Sequence, residues 1–196
     1  MQPPQPATPR MPAARRRETL LRAAAAAFAA DGYEGATLDG IAAAAGVTKP
    51  ILYRHFDSKK DLYLGLLARH AADMPGFVHP IPRTAAGRVD LAAILEPWFA
   101  YAEANRHGWS MLFDDAGGDW EIAAYRRAVR DRAHAVVSGF MTEVGAEVGD
   151  AELAPAAELI RAGLAGLVLW SAEHPEVPRR DLVAAAERVL APVLAG

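Results

Sequence analysis

Residues 46–62 read GVTKPILYRHFDSKKDL, and this stretch decides the fold. Proline in the interior of a helix costs about 3 kcal/mol, yet Pro50 stands among residues with a helical pattern. With Thr48 as the N-cap, Lys49 takes the first helical position and Pro50 the second, where a backbone N–H has no partner inside the helix. The proline therefore predicts the start of a short helix, with the Thr48 hydroxyl capping the free backbone donors.

A second short helix is predicted immediately before this one. Thr37 is a suitable N-cap for residues 38–45, in which Ile41 and Ala44 are expected to face inward, and Gly46 supplies the left-handed turn that ends the helix. Two short helices joined through Ala-Gly-Val-Thr have the form of a helix-turn-helix, whose second helix enters the major groove of DNA.

Helical periodicity extends over almost the whole chain. A first helix is expected from about 15 to 30, ended by Asp31-Gly32, and Ser58 with Asp61 resembles an acidic capping box that opens a fourth helix through about residue 72. Further helices are expected near 87–105, 107–114, 119–148, 153–174 and 179–194. The sequence thus predicts an all-α protein of about nine helices: a disordered tail at 1–12, a three-helix head at 13–60 and a larger helical body at 61–196.

Composition and charge limit the class of protein. The chain has 196 residues, 52% of them hydrophobic, and no cysteine, so neither a disulfide framework nor a thiolate metal site is available. Residues 1–60 carry nine Lys/Arg against five Asp/Glu, whereas residues 61–196 carry twelve against nineteen. A basic head on an acidic body favours an anion as partner of the head. No signal peptide and no uninterrupted apolar run of about 18 residues is evident, which favours a cytoplasmic protein without a membrane partner.

The head resembles the TetR family of transcriptional regulators over residues 15–67. The matching residues are FAADGY at 28–33, GAT at 35–37, IA at 41–42, AGV at 45–47, LYRHF at 52–56, SK at 58–59 and Leu62. The chain departs from the family pattern at Leu38-Asp39-Gly40, where other members often carry polar or basic residues. This departure puts base contacts from the second helix in doubt.

The resemblance implies a DNA-binding role for eight residues of the head. Residues expected on the phosphate backbone are Thr37, Thr48, Tyr53 and Lys59, and those expected nearest the bases are Lys49, Pro50 and His55. Arg54 is expected to bind either a phosphate or an acidic residue at the edge of the head. These side chains also suit the role chemically, since ammonium, hydroxyl and imidazole groups can all bond to phosphates or base edges.

The body is expected to hold a ligand. Seven of the fifteen Phe, Trp and Tyr residues lie between positions 98 and 125, a density suited to the walls of an apolar pocket or to an ordinary core. Candidate pocket walls are Trp98, Trp109, Phe113, Tyr125 and Trp170, and candidate polar contacts are His107 and His134. The segments that carry these aromatic residues have no dense cationic cluster, which favours an uncharged or weakly polar ligand.

For the whole chain, the resemblance implies a homodimer that binds a pseudo-palindromic double-stranded DNA operator, with repression favoured over activation. Small residues in 153–174 and 179–194 predict that these two helices pair with their symmetry mates. An unidentified small molecule is the expected effector, and no cofactor, metal or catalytic residue is expected.

Two other classes of function stay open at this point. A helical metal-dependent enzyme is suggested by Asp131 with His134 and by Glu103 with His107, although the paired Glu-x-x-His units of a di-iron bundle are absent. A helical adaptor that binds only protein is the other alternative.

Overall fold

The computed structural model describes residues 12–73, 80–113 and 119–194. Within these ranges the chain forms nine α-helices, which confirms the predicted all-α fold. They are α1 (Ala13–Gly35), α2 (Leu38–Ala44), α3 (Lys49–Tyr53), α4 (Lys59–Asp73), α5 (Leu91–Ala104), α6 (Arg106–Phe113), α7 (Trp120–Val144), α8 (Asp150–Glu173) and α9 (Arg179–Leu194). The expected tail at 1–12 lies, except for Pro12, outside the described residues.

The chain divides into two compact units, residues 1–66 and 67–196. The core of the first unit is made by apolar side chains from α1 to α4. They include Leu20, Leu21, Ala24, Phe28, Ile41, Ala42, Leu52, Phe56, Leu62, Tyr63 and Leu66. The inward residue of α2 beside Ile41 is Ala42, and the expectation for Ala44 was wrong, because a seven-residue helix that begins at Leu38 turns Ala44 to solvent.

Gly32 and Gly145 each interrupt or end a helix. Gly32 has φ 68° and ψ 178°, so α1 is kinked there and continues for only three more residues instead of stopping at Asp31-Gly32. Gly145 takes φ 69° and ψ 43°, and the N–H of Ala146 bonds to the carbonyl oxygen of Met141 at 2.9 Å. This left-handed cap ends α7 at Val144, four residues before the predicted end.

The second unit is built around α5, α7, α8 and α9. Its core includes Leu91, Leu95, Phe99, Trp109, Phe140, Met141, Val168, Leu182 and Leu194. Helix α5 begins at Leu91, later than predicted, because residues 83–89 form a turn closed by a bridge between Arg83 and Val89. Asp90 then caps the helix by accepting the N–H of Ala93 at 3.0 Å.

Helix α8 has an unusual surface. By length and composition alone it is a candidate membrane span, and only 17% of its most apolar window is buried. Glu158 and Arg161 interrupt the apolar run, and the Arg161 guanidinium bonds to both carboxylate oxygens of Glu158. The exposed apolar side chains include Leu159 at 76% and Trp170 at 42%. This leaves a large apolar face of α8 uncovered within one chain.

Candidate functional site

The turn between α2 and α3 is fixed by local hydrogen bonds. Thr37 caps α2, since its hydroxyl oxygen accepts the N–H of Gly40 at 3.1 Å. Gly46 has φ 65°, and the N–H of Val47 bonds to the carbonyl oxygen of Ala42 at 3.0 Å. These contacts end α2 and aim the chain into α3, which is the geometry of a helix-turn-helix.

Helix α3 starts at Lys49 and carries Pro50 in its first turn, as the sequence predicts. The carbonyl oxygen of Thr48 accepts the N–H groups of Ile51 and Leu52 at 2.9 and 3.2 Å. The Thr48 hydroxyl makes no capping hydrogen bond, so the expectation that it caps the free donors was wrong. The backbone of Thr48 and the fixed φ of Pro50 are sufficient to start this short helix.

Helix α3 and the residues after it divide sharply into buried and exposed side chains. Leu52 and Phe56 are 0% and 2% exposed. Exposed side chains are Lys49, Pro50, Tyr53 and Arg54, and the exposed fraction of Tyr53 is 46%. The apolar residues therefore anchor the segment, while the four exposed side chains are left for an external partner.

Lys49 is engaged by Asp39 of α2. Its Nζ lies 2.9 Å from each carboxylate oxygen of Asp39, and this hydrogen-bonded pair raises the pKa of Lys49 above its usual value. The sequence marks Asp39 only as a departure from the family pattern. The pair was not predicted, because a separation of ten residues across a turn matches no helical spacing.

Lys59 has an internal role in the amino-terminal unit. Its Nζ donates to the carbonyl oxygens of Glu34 and Ala36, both at 3.0 Å, and lies 4.7 Å from the centroid of the Tyr33 ring. Two of its three N–H donors thus satisfy the end of α1, which leaves one for a phosphate. This use of Lys59 carries no local sequence signal.

His55 is half-buried and surrounded by positive charge. Burial, followed by the charges of Arg16, Arg54 and Arg17, lowers the pKa of His55 below its usual value of 6.5. The Arg17 guanidinium lies 4.9 Å from the centroid of the Phe56 ring. The start of α1 and the end of α3 therefore contribute to one electropositive region, which is a chemically suitable environment for a phosphate.

Three of the candidate ligand residues come together in the carboxyl-terminal unit. Trp109 contacts Trp98 edge to face at 4.9 Å between centroids and Phe113 at 4.6 Å. Trp109 is 2% exposed, and its indole N–H points to the carbonyl oxygen of Ala165 at 3.4 Å. These rings form part of the core, and Trp98 and Phe113 are only partly buried.

The other four candidates have different surroundings. Trp170 stacks on His174 with centroids 3.9 Å apart, and His107 is exposed. His134 Nδ1 lies 3.3 Å from Glu158, whose pKa falls to about 2, mainly through its hydrogen bond from Arg161. Tyr125 is half-buried, and burial raises the pKa of its hydroxyl. The structure therefore does not gather all seven residues into one wall.

A small pocket of about 20 Å³ lies among α5, α6, α8 and α9. Its lining residues are Phe99, Ala102, Glu103, Arg106, Val168, Ser171, Val177, Arg179 and Leu182, none of which is among the seven candidates. Arg179, one of these lining residues, bonds to Glu96 at 2.8 Å and to Glu103 at 2.7 Å. This volume is comparable to that of a water site and is too small for a drug-sized ligand.

The residues suggested as metal ligands are used differently. Glu103 pairs with Arg179, and His134 with Glu158. Across 12–73, 80–113 and 119–194, no three His, Cys, Asp or Glu side chains are grouped as metal ligands.

Sequence reasoning also missed a partly buried histidine in the carboxyl-terminal unit. His70 Nε2 is buried and has no hydrogen-bond partner among the described residues, and burial lowers the pKa of the ring. The ring packs against Gly108 so closely that a Cβ there would overlap it. A histidine followed by a glycine 38 positions later gives no sequence signal of such a contact.

A family model and two curated proteins are similar in sequence to part of this chain. The family model for bacterial regulatory proteins of the tetR family matches residues 20–66. The chain is 40% identical over 107 residues to the HTH-type transcriptional activator FasR of Mycolicibacterium smegmatis, covering 54% of this chain and 49% of that protein. It is 31% identical over 94 residues to the HTH-type transcriptional repressor AcnR of Corynebacterium diphtheriae, covering 48% and 44%. The chain thus spans about half the length of these curated relatives.

The similarity to solved structures extends over both units. A tetR-family transcriptional regulator from Streptomyces coelicolor aligns with a TM-score of 0.67 and 25% identity, covering 92% of this chain and 84% of that one. The helix-turn-helix geometry, the match at residues 20–66 and this likeness agree. Residues 20–66 thus match the TetR family of bacterial regulatory proteins, and the fold of the chain is similar to that of a solved regulator of this family.

Proposed function

We propose that the protein is a homodimeric repressor of transcription that binds a pseudo-palindromic DNA operator and is released from it by a small apolar or weakly polar ligand. One observation carries the DNA-binding part. Helix α3 exposes Lys49, Pro50 and Tyr53 while Leu52 and Phe56 hold it in the core. This is how a recognition helix must be mounted to place its first residues in the major groove.

The other DNA contacts extend from this helix. Thr37, Thr48, Tyr53 and Lys59 are assigned to phosphates, and His55 joins Lys49 and Pro50 near the bases. Arg54 is assigned either to a phosphate or to an acidic residue at the edge of the head. The exposed Thr48 hydroxyl, which makes no capping bond, is available to a phosphate oxygen. Lys59 contributes its remaining N–H donor and also positions the end of α1.

The dimer is assigned to α8 and α9. Leu159 and Val189 are 76% and 73% exposed, and no described atom lies within 4 Å of a Cβ built at Gly163 or Gly166. Apolar side chains beside small residues allow close helix packing, and α8 and α9 with their symmetry mates would form a four-helix interface. A two-fold dimer then presents two recognition helices to two half-sites about one turn of DNA apart.

The ligand is assigned to the second unit, with Trp98, Trp109 and Phe113 as its most coherent apolar wall. The small pocket requires that helices move apart to admit such a molecule. A ligand can release DNA only if it binds more tightly to a dimer whose recognition helices no longer match adjacent major grooves. On this proposal residues 13–60 are the DNA-binding domain and 61–196 the ligand-binding and dimerisation domain. A DNA partner places the protein in the cytoplasm.

The decisive test is binding of the purified full chain to duplex DNA from around its own gene. We expect one fragment to bind preferentially, two protomers to bind per site, and affinity to fall steeply as salt rises. Transcription from that promoter in vitro then gives the sign of regulation. Equal affinity for all fragments with a flat salt response would contradict DNA recognition and favour the protein-binding adaptor.

A further inference from the structure

Asp39 and Lys49 form an ion pair that joins the first turn of α2 to the first turn of α3. The Lys49 Nζ is 2.9 Å from both oxygens of the carboxylate, while the side chains keep 48% exposure at Lys49 and 70% at Asp39. An ion pair this exposed contributes little to the stability of a fold. The Asp39–Lys49 pair instead changes the charge and the hydrogen-bond donors that the helix-turn-helix offers to DNA.

The pair changes what Lys49 offers to DNA. In a helix-turn-helix the first helix crosses the phosphate backbone, and the first residues of the second helix contact base edges. A free lysine at this position would be attracted to any nearby phosphate, whatever the sequence. With Asp39 attached, the pair is neutral in sum, and the carboxylate repels a phosphate that approaches Lys49.

A neutral pair still has hydrogen-bonding groups for a base pair. The ammonium of Lys49 has three N–H donors, so some face away from Asp39 and match the O6 and N7 acceptors of guanine. The carboxylate has lone pairs for the N4 amino group of cytosine. Donor and acceptor therefore lie side by side, in the pattern that a G·C pair complements in the major groove.

We propose that Asp39 is a specificity-determining residue that acts through Lys49. By holding the ammonium, it suppresses sequence-independent phosphate binding and directs Lys49 to a G·C pair in each half-site. This inference rests on the proposed DNA-binding function and adds to it a residue that lies outside the eight assigned contacts.

The experiment uses the full-length protein and a random-sequence duplex library. Sites are selected with the wild type, Asp39→Asn, Lys49→Ala and the double variant, and dissociation constants are measured for selected and random duplexes over a range of salt. Asp31→Asn is the matched control, since it removes the same charge from another exposed carboxylate of the head. Circular dichroism checks that each variant is folded.

We expect Asp39→Asn to bind random DNA several-fold more tightly than the wild type. The slope of log affinity against log salt should steepen by about 0.9, the value for one additional neutralised phosphate. Preference for G·C at one position in each half-site should fall by about fivefold or more, the discrimination expected of one good base contact. In the Lys49→Ala background, adding Asp39→Asn should have no larger effect on affinity, salt slope or base preference than Asp31→Asn has.

Two results overturn the inference while leaving DNA recognition intact. One is an Asp39→Asn variant that behaves like Asp31→Asn, and the other is an Asp39→Asn effect that persists unchanged in the Lys49→Ala background. A wild type that selects no sequence at all overturns the proposed function, and the inference falls with it.

Discussion

Lys59 donates a hydrogen bond to the carbonyl oxygen of Ala36 at 3.0 Å, and so ties the first turn of α4 to the residue that follows α1. A second bond reaches the carbonyl oxygen of Glu34. Because a cation near the end of a helix also favours its dipole, Lys59→Met should lower the free energy of unfolding by about 1–2 kcal/mol. Urea unfolding of the full chain measures this change.

Arg22→Met is the control for Lys59→Met. Among the described residues, Arg22 makes a long, exposed pair with Glu18, at 3.9 Å, so its loss should change stability by less than about 0.5 kcal/mol. Equal effects of the two variants would refute the internal role of Lys59.

Tyr53→Phe tests a phosphate contact by removing only a hydroxyl group. The side chain is 46% exposed, so the free energy of unfolding should stay within about 0.5 kcal/mol of the wild type. Loss of one hydrogen bond should weaken binding about fivefold on all sequences alike. Fluorescence anisotropy with labelled duplexes measures this, with Tyr125→Phe as the control. An unchanged affinity would remove Tyr53 from the contact surface.

Because the pKa of His55 is lowered in the free protein, we predict that DNA binding strengthens as the pH falls. Its pKa lies below 6.5 in the free protein, through burial and the arginines around it, whereas phosphate oxygens would favour the protonated ring. Binding should then take up a proton, and affinity should rise from about pH 8 to about pH 6. His55→Gln should flatten this profile, and His107→Gln, at an exposed histidine, should not. Parallel profiles for His55→Gln and the wild type would exclude this role.

The same shift has the opposite sign for folding. Because the folded pKa of His55 is depressed, its contribution to stability is present above 6.5 and is lost as the pH falls through the folded pKa. Without DNA, the wild-type protein should therefore lose more stability between neutral pH and mild acid than the His55→Gln variant loses. Thermal unfolding at several pH values checks this sign independently of DNA.

Gly108→Ala should destabilise the protein. A Cβ at Gly108 would overlap the ring of His70, and relief of such overpacking costs about 1–3 kcal/mol. Gly139→Ala is the matched control in α7, where no atom of the described part of the chain lies within 4 Å of the new Cβ. Because alanine favours a helix, that variant should gain about 0.5–1 kcal/mol. A similar change in thermal midpoint for both variants would contradict the close packing at His70.

The proposed dimer predicts a selective effect of charge on α8. Leu159→Arg places a cation on the apolar face and should shift the dimer to folded monomers with weakened operator binding. Val136→Arg on α7 makes the same change at a site that is 42% exposed, outside the assigned helices, and should stay dimeric. Sedimentation velocity distinguishes the two. A dimeric Leu159→Arg protein would move the interface elsewhere.

Local signals explain why the head could be predicted from the sequence. Its main features depend only on neighbouring residues in the chain. They are the proline at a helix start (Pro50), the glycine with positive φ (Gly46) and the cap between residues three positions apart (Ser58 with Asp61). Ion pairs that cross between helices depend on the final packing. The pairs of Lys49 with Asp39 and of Arg179 with Glu96 therefore required coordinates.

The sequence predicted the aromatic wall less completely than the head, because contacts between rings also depend on the final packing. Trp98, Trp109 and Phe113 lie one or a few helical turns apart in sequence, and the structure joins their rings. Trp170 is a candidate wall residue by its aromatic character alone. Its ring instead stacks on His174, four residues later in the chain, and no local pattern distinguishes that contact from a pocket wall.

The placement of tryptophan gives the protein built-in optical reporters of its second unit. All four tryptophans, at 98, 109, 120 and 170, belong to residues 67–196, and the amino-terminal unit has none. Excitation of indole therefore observes the second unit alone, without a label. Buried Trp109 should emit to the blue of Trp120, which is 75% exposed. A change in emission on adding DNA would accordingly report that DNA binding had altered the surroundings of tryptophans in the second unit. Unchanged emission would report that the response was confined to the head.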